Sequence, residues 1–506
     1  MKKRILTTAL AFSLLFPSIF AFAGCAKETK NESQILRVYN WEDYICNEDS
    51  EEDGYVDLIA KFEEENPGVT VEYSTFGTNE NMYNELKIGG GGYDLVCPSD
   101  YMIMKMIAED MLEPFDAEFV QNSNYAKYAS PYIKDLFEQN GWTNYAVAYM
   151  WGTMGYVYNP DIVDKEDLQS WGGIWNEKYS NLTTIKDSVR DSYFLGVAYE
   201  YMEELDTLAA QYNVQSLDDP NYAEYNAKVT EIMNRTDEVT LENVKEDLID
   251  LKKYLYGFEV DSGKQDMITG KIAINFAWSG DAVFAMDEAE PIYDDEGNLE
   301  ETGVYLNYIV PEECSNIWFD GWVMPKGANV ELAQKFIDFL SDPDNTVINM
   351  NYIGYTSAIA GDAVFEEMSS EDWYSEGEEG DLDENGNPLV PYDLNYFFNG
   401  TSDGAYKDGE YIIWVSEESL DRQIAAQYPS EEVIARSAIM QHFDNDTNAA
   451  VNEMWEEVKG LPIPVWAYIV IAVIAAGIIV MVLSYIYKGR HSEPKPKKGY
   501  RVLKKG

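Results

Sequence analysis

Leu36 to Ile45 reads LRVYNWEDYI, and the fold is decided there. Val38 is apolar and strand-forming, and the polar-aromatic group Asn40-Trp41-Glu42-Asp43-Tyr44 follows at once. A strand that stops at two aromatics flanking two carboxylates places those side chains at the edge of a sheet. Open α/β folds bind ligands there, outside the carboxyl ends of their strands. Rings cover methylenes and attract ammonium, and carboxylates accept its hydrogen bonds. Trp41, Glu42, Asp43 and Tyr44 therefore suit an elongated organic cation. Core aromatics beside solvated acids would produce the same letters, so the rest of the chain must separate the two.

Downstream, helical and strand patterns alternate. Apolar residues at 55, 58, 59 and 62 predict a helix over Tyr55 to Glu65, stopped by Asn66-Pro67-Gly68. Val69, Val71 and Tyr73 alternate as a strand, Asn79 to Ile88 reads as a helix, and Gly89 to Gly92 breaks it. No Gly-Lys-Ser/Thr follows, so this is not a phosphate loop. The next strand, Tyr93 to Cys97, ends in Pro98-Ser99-Asp100-Tyr101, again polar and aromatic at a strand edge. This alternation predicts a parallel, doubly wound α/β lobe. The stretch 141–160, GWTNYAVAYMWGTMGYVYNP, reads as the crossover into a second lobe.

Next comes SWGGIWNEKYSNLTTIKDSVRD, 170–191, followed by acidic helical sequence over 200–255. KIAINFAWSG, 271–280, is a strand ending in Trp278, and 293–302 holds a hairpin turn. In NIWFDGWVMPKGA, 316–328, Trp318 and Asp320 lie two apart and so share one side of an extended chain. A helix from Val330 to Leu340 precedes NYIGYTSA, 351–358, which brings Tyr355. MQHFDNDTNAAVNEMWEEVKG, 440–460, reads as a closing helix. The stretch from Glu366 to about Ser430 is rich in acids, glycine and tyrosine. Within it Asp381-Leu-Asp383-Glu-Asn385-Gly386 imitates half a calcium loop, but position twelve is Tyr392 where that loop has Glu. It is read as a turn, and no metal or cofactor is assigned.

Taken in order, these motifs resemble the bacterial spermidine/putrescine-binding proteins, the solute receptors of polyamine ABC importers. The resemblance implies a two-lobed α/β periplasmic-binding-protein fold of type II-like form, closing by a hinge. Lobe 1 is expected at 35–147 and 318–365, lobe 2 at 148–317 and 366–459. It also implies that Trp41, Tyr44, Tyr101, Trp278, Trp318 and Tyr355 wall the ligand, with Ser99 touching it. Asp43, Asp191 and Asp320 would take its ammonium groups, with Glu42 and Asp187 as further candidates and Gln441 matching a ligand glutamine. Asp191 stands where the family has Glu, and Thr356-Ser357-Ala358 where it has Thr-Pro-Asn. A membrane permease and its cytoplasmic ATPase are the implied partners, and no catalysis is implied.

The two ends are targeting segments. Lys2, Lys3 and Arg4 precede a mainly apolar run to Phe22, then Ala23-Gly24-Cys25, which resembles a lipoprotein cleavage site. A signal peptide over 1–24, lipidation at Cys25 and a polar tether over 25–34 are expected. From Val465 to Tyr487 there is no charged residue, with Trp466, Tyr468, Tyr485 and Tyr487 at its borders. At about 1.5 Å per residue this spans a hydrocarbon core of about 30 Å. One transmembrane helix over 463–487 and a cytoplasmic tail over 488–506, with eight Lys or Arg against Glu493, are expected.

Composition limits the remaining choices. Of 36 Lys+Arg and 91 Asp+Glu, three basic residues lie at the N-terminus, and eight basic and one acidic in the tail. The external body thus holds 25 against 90, a net of −65. Such a body excludes nucleic acid as a partner and draws polycations. Two histidines, His442 and His491, exclude a His-centred triad or a multi-His metal site. Cys46, Cys97 and Cys314 have no metal spacing, and their odd number fits either one disulfide with a free thiol or free thiols alone. Two other functions are compatible with parts of the pattern: a membrane-tethered sensor for another cationic amino compound, and an external glycosidase using paired carboxylates. The acids lie within binding-protein motifs, which favours the receptor.

Overall fold

The computed structural model describes residues 34–50, 54–89, 92–293, 298–370, 373–383, 385–399 and 411–460. The expected signal peptide, the Cys25 lipid site and the 463–487 helix lie outside them. Among the described residues no helix is long and apolar enough to cross a membrane.

Eight strands form the continuous path of a 12-stranded main sheet, with four short strands pairing onto its two central members. The eight are β1 (Gln34–Trp41), β2 (Val69–Phe76), β3 (Leu95–Val96), β4 (Ala146–Tyr158), β5 (Thr183–Lys186), β6 (Gly257–Glu259), β7 (Ile274–Trp278) and β8 (Ser315–Pro325). Their order is β2-β1-β3-β8-β4-β7-β5-β6. Pairing is parallel within β2-β1-β3 and within β7-β5-β6. The long central strands β4 and β8 run antiparallel to each other and to their neighbours. The parallel pairing expected from the alternation over 36–97 is found in β2-β1-β3, and β4 and β8 make the sheet as a whole a mixed one. Each flank is wound through helices in the parallel sense, but the connections through β4 and β8 return against it. Two of the three expected lobe boundaries, 147/148 and 317/318, fall inside these two strands, and the third, 365/366, falls inside the helix Asp362–Met368.

Sequence explains the local choices. All 13 residues of β4 are buried, matching an apolar and aromatic run with no charge. The first helix starts at Leu58 rather than Tyr55, because the Asp57 side chain accepts from the amides of Ile59 and Ala60 and caps it. Helix Val330–Leu340 buries Leu332, Ala333, Phe336, Ile337 and Leu340 at helical spacing. The expected strand over 93–97 shortens to Leu95–Val96. At 383–387 the Asp383 carboxylate accepts from the amides of Asn385 and Asn387, the turn that was expected. Cys46, Cys97 and Cys314 are all free and buried, so of the two cysteine arrangements the disulfide is not formed.

One irregularity matters for the site. Asp320 pairs with Met150 and Gly321 with Ala148, leaving Tyr149 without an opposite residue. Such a bulge bends the strand and re-aims side chains. The Tyr149 hydroxyl donates to the Tyr44 carbonyl at 2.8 Å, tying the bulge to the end of the opening stretch.

Candidate functional site

The carboxyl ends of β1 and β3 on one flank face those of β5 and β7 on the other, across the middle of β4 and β8. Asp320 sits at this meeting point, directly after the residues of β8 that pair with Thr153, Gly152 and Trp151. It is buried, and its two oxygens accept from the Ser99 hydroxyl at 2.7 Å and the Tyr44 hydroxyl at 2.8 Å. Asn79 holds Ser99: its carbonyl accepts the Ser99 amide at 3.0 Å, and its amide reaches Ser99 Oγ at 3.0 Å and the Tyr101 hydroxyl at 3.1 Å. Burial pushes the Asp320 carboxyl up to about 7, against the hydrogen bonds from Ser99 and Tyr44; the charge of Asp191 adds to the rise. Asp191 is itself buried and raised by that burial, opposed by Ser188, Lys186 and Trp278. Among the described residues neither aspartate forms an ion pair. A buried carboxylate with no ion pair is a poorly solvated anion, and an ammonium placed beside Asp320 would relieve it.

Aromatic rings close around this pole. Tyr44 and Tyr355 meet edge to face at 4.9 Å and 83°, and Trp318 lies 5.8 Å from Tyr355. The Trp318 indole donates to the Thr153 carbonyl at 3.2 Å, which fixes its plane. Two glycines make room. A Cβ on Gly152 would lie 2.7 Å from the Trp318 ring, and one on Gly280 would lie 2.3 Å from Tyr355.

The other pole is built from the ends of β5 and β7. Lys186, fully buried, lies 2.9 Å from Asp281 Oδ2 and 3.1 Å from Glu259 Oε1, and donates to the Val260 carbonyl at 3.0 Å. Its ammonium stands 4.2 Å from the centre of the Trp278 ring. Asp281 Oδ1 accepts from the Tyr355 hydroxyl at 2.8 Å and lies 3.5 Å from Lys264. Burial would raise Asp281, but the charges of Lys186 and Lys264 prevail and hold it below the usual carboxylate range.

The expected residues divide into three groups. Tyr44, Ser99, Tyr101, Asp191, Trp278, Trp318, Asp320 and Tyr355 are brought together at the two poles. Glu42 and Asp43 are exposed and line, with Tyr44, Tyr73 and Thr75, an open recess of about 220 Å³. Trp41, half-buried, packs on Phe76 at 4.5 Å. Asp187 accepts from the Trp455 indole at 3.3 Å, and Gln441 joins through its backbone carbonyl, which accepts from Arg190 at 2.7 Å. That guanidinium is sandwiched 4.3 Å from Tyr101 and 3.8 Å from Phe443.

Asn79, Lys186, Arg190, Glu259, Lys264 and Asp281 were not anticipated as site residues. Arg190 lay inside the quoted 170–191 motif, and Asp281 follows Trp278 by three. Lys186 closes a strand immediately before a candidate acid. A charge at a strand's carboxyl edge was the available signal. Among the described residues, no group of three or more His, Cys, Asp or Glu is placed to hold a metal ion.

A family model described as bacterial extracellular solute-binding protein matches residues 57–373. The spermidine/putrescine-binding periplasmic protein of Salmonella typhimurium is 26% identical over 334 residues, covering 66% of this chain and 80% of that protein. The putrescine-binding periplasmic protein of Pseudomonas aeruginosa is 27% identical over 351 residues, covering 68% and 82%. Among solved structures, the spermidine/putrescine ABC transporter substrate-binding protein of Streptococcus pneumoniae superposes with a TM-score of 0.52 at 27% identity, over 84% of this chain and 99% of that one. A putative spermidine/putrescine ABC transporter protein of Listeria monocytogenes has the same fold, with a TM-score of 0.57 at 24% identity and the same two coverages.

Proposed function

Because this chain belongs to the bacterial extracellular solute-binding protein family, whose model matches residues 57–373, we propose that it is a receptor for linear polyamines such as spermidine or putrescine. It is a binding protein rather than an enzyme, and it hands its ligand to an ABC importer. The observation that carries the ligand class is Asp320: a buried carboxylate held by two hydroxyls, in the field of Asp191, with no ion pair among the described residues. The relatives named for spermidine and putrescine support the same class.

In this reading two lobes, 35–147 with 318–365 and 148–317 with 366–459, close by bending at β4 and β8. Asp320 and Asp191 take an ammonium, Ser99 orients Asp320, and Tyr44, Tyr101, Trp318 and Tyr355 cover methylenes. Trp41, Glu42 and Asp43 guard the entrance, while Asp187 and Gln441 brace the second lobe. A cation–π contact contributes about 0.5–2 kcal/mol, and a hydrogen bond to a charged group about 1.5–3 kcal/mol. A few of each offset desolvation of the amine and ordering of its chain. Lipid on Cys25 and the 463–487 helix would hold the body at high effective concentration beside its permease, with the basic tail in the cytoplasm.

Calorimetric titration of the purified full-length chain with spermidine and putrescine tests this, with neutral sugars, arginine and magnesium as controls at physiological salt. One-to-one saturable binding of either amine, absent for the controls, is expected. Weak, salt-sensitive heat shared with magnesium would refute it.

A further inference from the structure

The second pole already holds an ammonium, and it belongs to the protein. Lys186 occupies the place that the rings and acids there would offer to the far end of a diamine. It lies over the Trp278 ring and bonds the Oδ2 of Asp281 and the Oε1 of Glu259. The remaining oxygen of Asp281 takes the Tyr355 hydroxyl and faces Lys264. Lys186 is fully buried, pinned by a third contact to the Val260 carbonyl, so it is not a side chain that swings aside. A ligand ammonium arriving here would lose its water and find the ring face covered and both carboxylate oxygens in use. An uncharged end loses far less on leaving water. At the first pole the situation is reversed: among the described residues Asp320 has only hydroxyl donors.

We propose that Lys186 is a specificity-determining residue, a tethered stand-in for the ligand's second ammonium. The pocket would then select amines with one charged end, seated on Asp320, and an uncharged far end, as in a mono-N-acylated polyamine. This rests on the receptor reading above, since it needs the ligand's ammonium on Asp320.

The full-length chain is titrated with N-acetylputrescine, putrescine and spermidine. N-acetylputrescine is expected to bind at least tenfold more tightly than either uncapped amine. If an uncapped amine binds as tightly or more tightly, the proposal is overturned while the receptor reading survives. If none of the three binds saturably, the receptor reading falls and this one with it. Lys186→Met vacates the place over Trp278, and a folded variant should shift the preference at least tenfold toward putrescine and spermidine. An unchanged ratio in a folded variant also overturns the proposal. The unmodified series decides the matter even if that variant does not fold.

Discussion

Asp320 and Asp281 are both buried aspartates that accept a tyrosine hydroxyl at 2.8 Å, yet among the described residues Asp320 pairs with no cation and Asp281 with two. Burial lifts Asp320 toward neutrality, while Lys186 and Lys264 hold Asp281 ionised. The difference separates structural from recognitional use of the same residue type. A charge satisfied within the chain supports the fold, whereas a charge left unpaired costs the fold something that, on the proposed reading, ligand would repair.

The contrast breaks most visibly in stability. Removing one partner of a buried ion pair costs about 3–5 kcal/mol, so Lys186→Met should lower the unfolding free energy by that order in urea. Asp320→Asn should leave the empty protein as stable at pH 8 or make it more so, because it removes an unpaired buried charge. Equal losses in the two variants would show that the poles are alike. In binding the order reverses. Asp320→Asn should weaken amine binding by about 2–4 kcal/mol by calorimetry, since the ammonium is then buried unpaired. Unchanged affinity would remove Asp320 from the site.

The smallest effect is on pH, and its sign follows from the raised carboxyl. Empty, Asp320 carries its proton below about 7, whereas in the complex it must be ionised. Amine affinity should fall as pH drops below 7, by at most about 1.4 kcal/mol, or tenfold, per unit. Proton release, read from titrations in two buffers of different ionisation enthalpy, should accompany binding at pH 6 and vanish in Asp320→Asn. For the empty protein, a raised folded value means that this group's contribution is full below its unfolded value near 4 and is lost as pH rises through 7. A flat profile would place Asp320 in solvent.

Much of this was legible in order of letters. The opening stretch announces a strand ending at a cleft, and the two-residue spacing of Trp318 and Asp320 sets them on one side of β8. Tyr44, Ser99, Tyr101 and Tyr355 were reached through motif order. The second pole was hidden. A lysine at a strand end looks like surface, and its partner Asp281 stands 95 positions away. Such a pair has no local signature. The mixed sheet was equally opaque, because a long apolar strand reads the same in either direction. Trp41, Glu42 and Asp43 read as one strand-edge unit with Tyr44, but the backbone turns at Asp43, with φ 49°, and Glu42 and Asp43 are exposed while Tyr44 is buried.

Tyr149, unopposed in β4, also sets a rule for inheritance. The segments before and after it meet β8 in registers one residue apart. Side chains alternate strictly along a strand, so a gained or lost codon on either side would turn Trp318 and Asp320 to the wrong face. Point substitutions around the cleft leave this register untouched, whereas a change of length in either central strand shifts it.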